Sequence, residues 1–479
     1  MSAKSHREPH CKCPGEQAVK FVEASPRILQ QPQYALPLSF DRSNAHAALT
    51  HDFIPGGAHT YAKGDDQYPA HMLPIIVRGQ GAHVWDMDGN RFVEFGSGMR
   101  AVTLGHGYRP VADAAFRAMM GGTNFARPSQ LELQTAQTML SVISASKDGD
   151  PWMIKFAKHG SDAASAAVKL SRAVTGRDMV ALCHDHPFFS VDDWFIGTTP
   201  MNAGIPQATC DMTVGFSYND IDSLKALFEK FPDQIACVML EAVKDAEPTN
   251  DFLHAVRKVC DDNCALLIID EIINGFRLDT GGGAKVYGVE PDLSTWGKSM
   301  ANGFACSALI GKKRFMELGG IRQTKHDRVF LLSTTHGAES HALAACKATV
   351  ETYKSRDVCG TIKRTGLELQ RRCNAVSSDM NLLDFWSVSG RPQTLVFNCS
   401  GPDQKKGSQP FRTLFLQEML RRGVICPSFV VSEPMTDRDI DHTVWAVYES
   451  LAVYKKAIEG SIDEHLQSRS VQPVFRRRG

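Results

Sequence analysis

The sequence has little of three things that mark specialised classes of protein: net charge, long apolar runs and cysteine. Lysine plus arginine number 53, as do aspartate plus glutamate, so the formal net charge is zero. That balance argues against a nucleic-acid platform or a membrane-surface protein, which need an excess of basic residues. No apolar run reaches the roughly 18 residues of a membrane span. The N-terminus has no apolar stretch that could act as a secretion signal.

Cysteine is sparse, with 13 residues in a chain of 479. An odd and diluted set does not form a disulfide framework, so we expect free thiols in a reducing cytoplasm. The one tight pair, Cys11 and Cys13, has His10 beside it and resembles half of a metal site. No second pair follows at the spacing of a zinc finger, and a loosely held tail is the interpretation that we favour.

What the sequence does contain is an alternation of short apolar runs and helical segments. Three runs have the length and composition of buried strands: 179–183, 234–240 and 265–270. Three segments with helical periodicity alternate with them: 165–176, 221–231 and 251–263. Such alternation predicts right-handed crossovers and a mostly parallel sheet covered on both faces. The length of the chain predicts two or three subdomains.

The pattern changes after about residue 346. A helical stretch at 341–355 leads into another helix, two possible strands at 394–400 and 423–429, and a closing helix at 444–460. These elements predict a smaller α+β domain. Far upstream, Asp88-Gly89-Asn90 reads as a hairpin turn between two apolar runs.

Two single residues lie at positions where catalytic or ligand-binding residues are common. Asp270 ends an apolar run, so it lies at the carboxyl edge of the expected sheet, where such folds bind ligands. Acidic residues also end strands simply because they face water. Lys298 lies between apolar and glycine-rich flanks, which suits a desolvated, nucleophilic amine. A surface lysine on a loop is the alternative.

A third motif, Lys158-His-Gly160-Ser161, follows a strand-like run and opens a helix. Glycine and serine at a helix start present N–H groups and a hydroxyl to an anion. A plain helix cap by Ser161 or Asp162 is the alternative.

The order and spacing of these motifs decide between the alternatives. Lys298 follows Asp270 by 28 residues, and the anion loop precedes both. This layout resembles that of class III aminotransferases, and in particular the glutamate-1-semialdehyde 2,1-aminomutase group with its uncharacterised relatives. The resemblance runs from Pro55 to Thr436. It includes these segments: 84–91, 104–106, 160–163, 175–178, 270–277, 291–298 and 333–339.

The resemblance implies pyridoxal 5'-phosphate as the cofactor and a role for each motif. Lys298 would hold the aldehyde as a Schiff base and then move protons, and Asp270 would keep the pyridine nitrogen protonated. Gly160 and Ser161 would form the phosphate cup. Ile272 would press on one face of the ring.

The resemblance also implies a homodimer and a fold. Thr335, or its neighbour Thr334, would reach the phosphate of the other subunit, so that the active site is shared. The fold would be that of fold-type I enzymes: a large domain with a mostly parallel seven-stranded sheet and a smaller α+β domain. The expected boundaries are an irregular extension at 1–45, small-domain segments at 46–94 and 346–461, the large domain at 95–345 and a solvated tail at 462–479.

The chain departs from the family pattern at the position that stacks on the ring. Where the family has Tyr-His-Gly, residues 184–189 read His-Asp-His-Pro-Phe-Phe. We expect Phe188, to within one position, to stack on the ring, because any flat apolar ring can do so. His184 and His186 suggest a metal as the alternative, but we favour a loop beside the cofactor and predict no metal.

Other departures lie on the substrate side. Lys63 stands where the aminomutase has an arginine that reads the substrate carboxylate, and lysine lacks the bidentate fork. Arg100 could supply a replacement cation; a surface ion pair is the alternative. The loop after Glu241 is shorter than in the aminomutase, with Lys244 near its start.

Three functions remain open at this point. The first is an aminotransferase that acts on a small keto or aldehyde substrate, which the altered substrate positions favour. The second is an intramolecular aminomutase of the glutamate-semialdehyde type. The third is a catalytically silent binding relative, which would require loss of Lys298 or Asp270; both are present.

Overall fold

A computed structural model describes residues 31–403 and 407–477 of the chain. His10, Cys11 and Cys13 lie outside the described residues, as does most of the N-terminal extension. In the described part of the chain, no helix combines the length and the apolar character that crossing a membrane requires.

A seven-stranded sheet forms the centre of the large domain. Its strands are β4 (Trp152–Ala157), β5 (Met179–Cys183), β6 (Thr213–Phe216), β7 (Ile235–Glu241), β8 (Leu266–Asp270), β9 (Leu293–Trp296) and β10 (Ser307–Lys312). Their order is β4-β10-β9-β8-β7-β5-β6. Strand β10 is antiparallel to β4 and β9, whereas the other pairs are parallel. The expected mostly parallel, seven-stranded sheet is confirmed.

Helices cover both faces of this sheet. They are α2 (Ser97–Arg100), α3 (Arg109–Met120), α4 (Gln130–Leu140), α5 (Gly160–Thr175), α6 (Asp193–Ile196), α7 (Gln207–Cys210), α8 (Ile221–Lys230), α9 (Phe252–Asp262), α10 (Gly282–Val286), α11 (Lys313–Met316) and α12 (Ser340–Ser355). The sequence of β7 is apolar without interruption because its alternate residues face opposite sides of the sheet, and helices cover both sides. Cys237 and Met239 pack with α5, whereas Val238 and Leu240 pack with α8 and α9.

The large domain extends beyond the expected boundary at residue 345. Helix α12 continues to Ser355, and its Val350 and Tyr353 lie in the same hydrophobic cluster as Val111 of α3 and Met139 of α4. A helix is one packing unit, so the whole of α12 belongs with the large domain.

The small domain combines distant parts of the chain. Its elements are α1 (Asp41–Thr50), β1 (Ile76–Gln80), β2 (His83–Asp86), β3 (Arg91–Glu94), α13 (Val358–Asp379), β11 (Trp386–Arg391), β12 (Thr394–Cys399), α14 (Gln409–Arg421), β13 (Val424–Ile425), β14 (Phe429–Val430) and α15 (Asp437–Glu459). One sheet has the order β1-β2-β3-β13 and the other β11-β12-β14. Strand β3 pairs in parallel with β13, which joins the N-terminal segment to the C-terminal one.

Both ends of the described chain are anchored. The Tyr34 hydroxyl donates to Asp439 at 2.7 Å, although residues 31–45 were expected in a loose extension. Residues 462–477, which we name the C-terminal strap, also differ from the expected solvated tail. Val471 is 3% exposed in the small-domain core, and the Gln472 amide donates to the Asp66 carbonyl at 3.0 Å. Ile462 and Leu466 also pack against this core, and Arg476 pairs with Asp66 at 2.6 Å, so several contacts hold the strap to the domain.

Candidate active site

A cavity of about 690 Å³ opens at the carboxyl edge of the large sheet. We name it the Lys298 cavity. Six residues that the sequence indicated line it together: Gly160, Ser161, Phe188, Asp270, Ile272 and Lys298. They come from the start of α5, the loop after β5, and the ends of β8 and β9. The parallel strands bring these distant segments to one edge.

Asp270 and Lys298 form the electrostatic centre of this cavity. The Asp270 side chain accepts a hydrogen bond from the Ile272 amide at 2.8 Å, and burial raises its pKa to about 6. Burial lowers the pKa of Lys298 to about 8, while Asp270 and Glu241 act in the opposite direction. An amine with such a pKa is partly unprotonated near neutral pH, as a nucleophile requires.

The backbone at Lys298 is in the left-handed region, with φ of 46°. A non-glycine residue in this region carries strain that the surrounding packing must hold, and such strain clusters at functional sites. Gly297 precedes it, and Ser299 and Met300 after it are buried. The neighbours therefore fix the direction in which the lysine side chain leaves the chain.

Glu241 is a residue of this cavity that the sequence analysis did not select as a site residue. It ends β7 and pairs directly with Asp270 at the end of β8. Burial and, to a smaller extent, the charge of Asp270 raise its pKa to about 8, and its Oε2 has no hydrogen-bond partner among the described residues. Glu241 ends an apolar run just as Asp270 does, so the same signal was present in the sequence.

The start of helix α5 forms the anion-binding part of the cavity. A Cβ atom at Gly160 would lie 2.6 Å from Cδ1 of Ile272, so only glycine allows this approach. The Ser161 hydroxyl accepts from the Val191 amide at 3.0 Å, which leaves its own proton for a ligand. The helix has 16 residues, and its N-terminal dipole favours an anion here.

The loop after β5 lines the cavity with two phenylalanines, Phe188 and Phe189. Phe188 is 43% exposed, whereas Phe189 is 1% exposed and packed in the core. Phe188 therefore has the ring face that a ligand can contact. Nearby, His186 accepts from the Glu241 amide at 3.0 Å, and His184 contacts Ser217 at 3.2 Å.

Thr335 does not lie in the Lys298 cavity of its own chain. It lines a separate cavity of about 530 Å³ with Thr334 and Arg127. The Thr334 hydroxyl donates to the His336 carbonyl at 2.5 Å, whereas the Thr335 carbonyl accepts from Asn124 at 3.0 Å. The Thr334 hydroxyl therefore already donates its proton to a hydrogen bond within its own loop.

Lys63 and Arg100 line a second cavity of about 710 Å³, between the N-terminal and C-terminal segments that form the small domain. We name it the second cavity. Arg100 ends a run of four left-handed residues, 97–100, with φ from 47° to 68°. Burial lowers the pKa of its guanidinium, and Glu241 and Asp245 raise it. Arg100 therefore lines the second cavity, while its charge interacts with that of Glu241 in the Lys298 cavity.

Residues 65–432 match the sequence family described as aminotransferase class-III. The chain belongs to the class III aminotransferases. It is 29% identical over 416 residues to the 3-aminobutyryl-CoA aminotransferase of Cloacimonas acidaminovorans (strain Evry), which covers 85% of this chain and 95% of that protein. It is 27% identical over 420 residues to the glutamate-1-semialdehyde 2,1-aminomutase of Desulfatibacillum aliphaticivorans, with 83% and 96% covered.

A solved structure has the same fold as this class III aminotransferase. It is a transaminase with PLP bound, and it matches with a TM-score of 0.79 at 21% identity, covering 88% of this chain and all (100%) of that one. The expected family, fold, PLP-dependent enzyme class and cofactor are confirmed.

The residues of the Lys298 cavity fit pyridoxal phosphate. The aldehyde of the cofactor requires a desolvated amine, and Lys298 supplies one. Its pyridinium nitrogen requires a carboxylate, which Asp270 supplies. Its phosphate requires a helix start, and α5 begins at Gly160 in the same cavity. The close contact between Gly160 and Ile272 forms a narrow cradle that a Cβ atom would fill.

Proposed function

We propose that this enzyme transfers an amino group between two separate molecules, with Lys298 as the residue that bonds the cofactor. The observation that carries the proposal is the buried pair of Lys298 and Asp270 in one cavity. When bound, pyridoxal phosphate supplies an aldehyde for the amine and a ring that withdraws electrons from the substrate carbon. The Lys298 amine would take up and return the proton of the substrate carbon.

The other residues of the Lys298 cavity hold the reacting groups in place. Asp270 would keep a proton on the ring nitrogen through its charge, and Ile272 and Phe188 would hold the ring. Gly160 and Ser161 would bind the phosphate with an amide and a hydroxyl. Ser161, Asp270 and Ile272 are buried, and the exclusion of water around them strengthens these interactions.

A transferase is favoured over an aminomutase by the substrate side of the molecule. The glutamate-semialdehyde enzyme reads its carboxylate with an arginine at the position of Lys63, and Lys63 lines the second cavity. The aminomutase remains the alternative, since both share the cofactor residues. A silent binding relative is disfavoured because Lys298 and Asp270 are both present.

The active site is proposed to be shared in a homodimer. Thr335 lies outside the Lys298 cavity of its own chain, and its hydroxyl makes no hydrogen bond within the described residues. A threonine in this position can donate to the phosphate of the neighbouring subunit. The free thiols of the described cysteines support the proposal of a cytoplasmic enzyme.

Replacing Lys298 with alanine tests the central claim. We expect borohydride to fix the cofactor covalently on the peptide that contains Lys298 in the wild type, and mass spectrometry to find no such adduct in Lys298→Ala. Activity should fall by about 10²- to 10⁴-fold because the proton-transfer group is lost. Lys285→Ala, which removes an exposed ion pair with Asp279, is the matched control. Full activity of Lys298→Ala would refute the proposal.

A single-turnover experiment separates transferase from mutase. The enzyme is mixed with an amino donor and no acceptor. A transferase releases one keto product per active site, whereas a mutase returns an isomer of the compound that was added.

A further inference from the structure

A buried arginine near Lys298 has no carboxylate partner. Arg277 lies in the loop after β8, and it is only 1% exposed. Across residues 31–403 and 407–477, its guanidinium forms no salt bridge, and its Nε and Nη1 atoms have no hydrogen-bond partner. Burial lowers the pKa of Arg277 to about 10, so the group still carries its charge at neutral pH. A buried charge of this kind is costly, because it loses its hydration without gaining an ion pair.

One backbone carbonyl connects this arginine to the catalytic lysine. Nη2 of Arg277 donates to the carbonyl of Arg100. The same carbonyl accepts from the hydroxyl of Ser299 at 3.2 Å, and Ser299 directly follows Lys298 in the chain. Arg100 and Lys298 both have left-handed backbones, with φ of 68° and 46°. The guanidinium is therefore fixed beside the segment that presents the lysine to its cavity.

The charged groups around Lys298 act in opposite directions. Burial lowers the pKa of the Lys298 amine most, and the carboxylates at the ends of β8 and β7, Asp270 and Glu241, raise it. The two cations Arg100 and Arg277 lower it further. The two carboxylates line the Lys298 cavity, whereas the two arginines do not. The cavity thus has acids on its wall and positive charges outside it.

The helices packed around Arg277 supply no negative charge to neutralise it. Tyr353 of α12 and Cys359 of α13 are the groups that face it from these helices. Burial raises the pKa of the Tyr353 hydroxyl, and it raises the pKa of the Cys359 thiol to about 12, so both are neutral near pH 7. The charge of Arg277 therefore acts on Lys298 through protein, where electrostatic interactions are stronger than in water.

A role in holding the backbone does not explain why this residue is charged. A neutral amide side chain can donate to a carbonyl as well, and it avoids the cost of burying a charge. Replacing buried charges by neutral groups is often without cost or even stabilising. The charge of Arg277 therefore needs a reason other than the fold.

We propose that Arg277 is a positioning residue: fixed on the Arg100 carbonyl, its unpaired charge repels a proton from the nitrogen of Lys298 and keeps that nitrogen nucleophilic. This inference rests on the proposed role of Lys298 as the residue that bonds the cofactor. Arg277 lines neither the Lys298 cavity nor the second cavity, so it acts through Lys298.

The colour of the bound cofactor as a function of pH tests this charge in the holoenzyme. Protonation of the Schiff-base nitrogen changes the absorbance of pyridoxal phosphate, so a spectrophotometric titration gives the midpoint. Arg277→Gln keeps a donor for the Arg100 carbonyl and loses the charge, and its midpoint should rise by about one pH unit. Arg277→Lys keeps the charge and should shift the midpoint by less than half as much. An unchanged midpoint in Arg277→Gln would overturn the proposal.

Arg257→Gln is the matched control. Arg257 pairs with Asp292 at 2.7 Å, and Asp292 precedes β9 whereas Lys298 follows it, so this pair lies at the opposite edge of the sheet. Arg257→Gln should leave the midpoint unchanged and unfold at a lower urea concentration than wild type, because it leaves a buried carboxylate unpaired. Arg277→Gln should unfold at a urea concentration no lower than wild type. Failure of Arg277→Gln to fold would make the arginine a structural residue and would likewise contradict the proposal.

Labelling of the full-length, cofactor-free chain separates this inference from the proposed function. Acetic anhydride modifies only the unprotonated amine, and mass spectrometry of the peptide that contains Lys298 gives the rate. At pH 7, Arg277→Gln should be labelled about 10-fold more slowly than wild type, which corresponds to a shift of one pH unit, and at pH 10 the two rates should be similar.

The two proposals then fail in different ways. Equal labelling of Arg277→Gln and wild type at pH 7, in an enzyme whose cofactor borohydride fixes on Lys298, would remove the role of Arg277 and keep the proposed function. Absence of that adduct in wild type would refute the proposed function, and the labelling rates would still decide whether Arg277 repels the proton.

Discussion

The Lys298 cavity and the second cavity meet at Arg100, yet the chain builds them in different ways. Most of the Lys298 cavity comes from strand ends and a helix start between residues 152 and 306. The second cavity combines residues 47–106 with residues 396–430, on opposite sides of the large domain in sequence. The Lys298 cavity depends on a regular sheet, and the second cavity depends on contacts between distant segments.

The two cavities also differ in how their charges are balanced. In the Lys298 cavity, buried carboxylates and a buried amine shift each other's pKa values. In the second cavity, the carboxylates of Asp65 and Glu94 contact histidines, whereas Lys63, Arg100 and Arg412 form no salt bridge within the described residues. We infer that the first arrangement tunes a reaction, while the second leaves its cations without a carboxylate partner. The predictions below probe this distinction, from the largest expected effect to the smallest.

Asp270→Asn should affect the reaction and spare the attachment of the cofactor. An amide carries no negative charge to keep the ring nitrogen protonated, so kcat/KM should fall by about 10²- to 10³-fold. Borohydride should still fix the cofactor on Lys298. Asp279→Asn, which removes an exposed partner of Lys285, is the control and should retain activity. Wild-type kcat/KM in Asp270→Asn would mean that the buried carboxylate does not tune the reaction.

Glu241→Gln should change the pH dependence of stability. The folded-state pKa of Glu241 is raised to about 8 from its ordinary value of 4.5, so the folded protein keeps a proton that the unfolded chain loses. Wild-type stability therefore falls as pH rises from 4.5 to 8, and glutamine removes this loss. The variant should gain about 3 kcal/mol relative to wild type between pH 5 and pH 7.

Urea unfolding of the cofactor-free proteins at several pH values measures that gain. Glu247→Gln is the comparison, because Glu247 is an exposed carboxylate that pairs with Arg391. A stability difference between Glu241→Gln and wild type that is the same at pH 5 and pH 7 would contradict the buried, protonated carboxyl.

Gly160→Ala should weaken cofactor binding while the fold is kept. The new Cβ would lie 2.6 Å from Ile272 Cδ1, and the side chain must shift into the space for the ring. We expect a cost of about 2 kcal/mol, or a roughly 30-fold higher dissociation constant for pyridoxal phosphate. Gly121→Ala, whose Cβ meets its nearest neighbour at 3.4 Å, is the control in a cofactor titration. Equal affinities of Gly160→Ala and the wild type for pyridoxal phosphate would show that the contact between Gly160 and Ile272 does not restrict the space for the cofactor.

Val471→Ala should lower stability by about 1.5 kcal/mol, because it removes two buried carbons from the small-domain core. Ile321→Ala, at a position that is 79% exposed, should change the stability by less than about 0.5 kcal/mol. Urea unfolding measures both. A Val471→Ala protein as stable as wild type would place the strap outside the cooperative fold.

The sequence predicted most of the Lys298 cavity because its signals are local. A buried parallel strand needs an uninterrupted apolar run, and the polar residue that ends it must lie at the carboxyl edge. Asp270 was found in this way, and Glu241 was accessible to the same reasoning. The mostly parallel sheet followed from the pattern of apolar runs, and its seven strands followed from the family resemblance.

The second cavity could not be predicted in that way. Arg412 lies in the first turn of a helix, and nothing within ten residues indicates that it lines a cavity with Ile75 and Val84. The packing of the C-terminal strap on the small domain was not predicted, because its single fully buried residue, Val471, gives no periodic signal in a polar stretch. Helix α12 crosses the expected boundary at 345 because it packs on a surface supplied by α3 and α4.

The parallel pairing of β3 with β13 sets an order of events during protein synthesis. Strand β3 leaves the ribosome more than 300 residues before β13, its partner in the sheet. One edge of β3 therefore stays unpaired until β13 has been synthesised. The large domain has all of its strands before then and can fold first. The second cavity is completed last, when α14, β13 and β14 emerge, so the residues of the Lys298 cavity can be assembled before the second cavity exists.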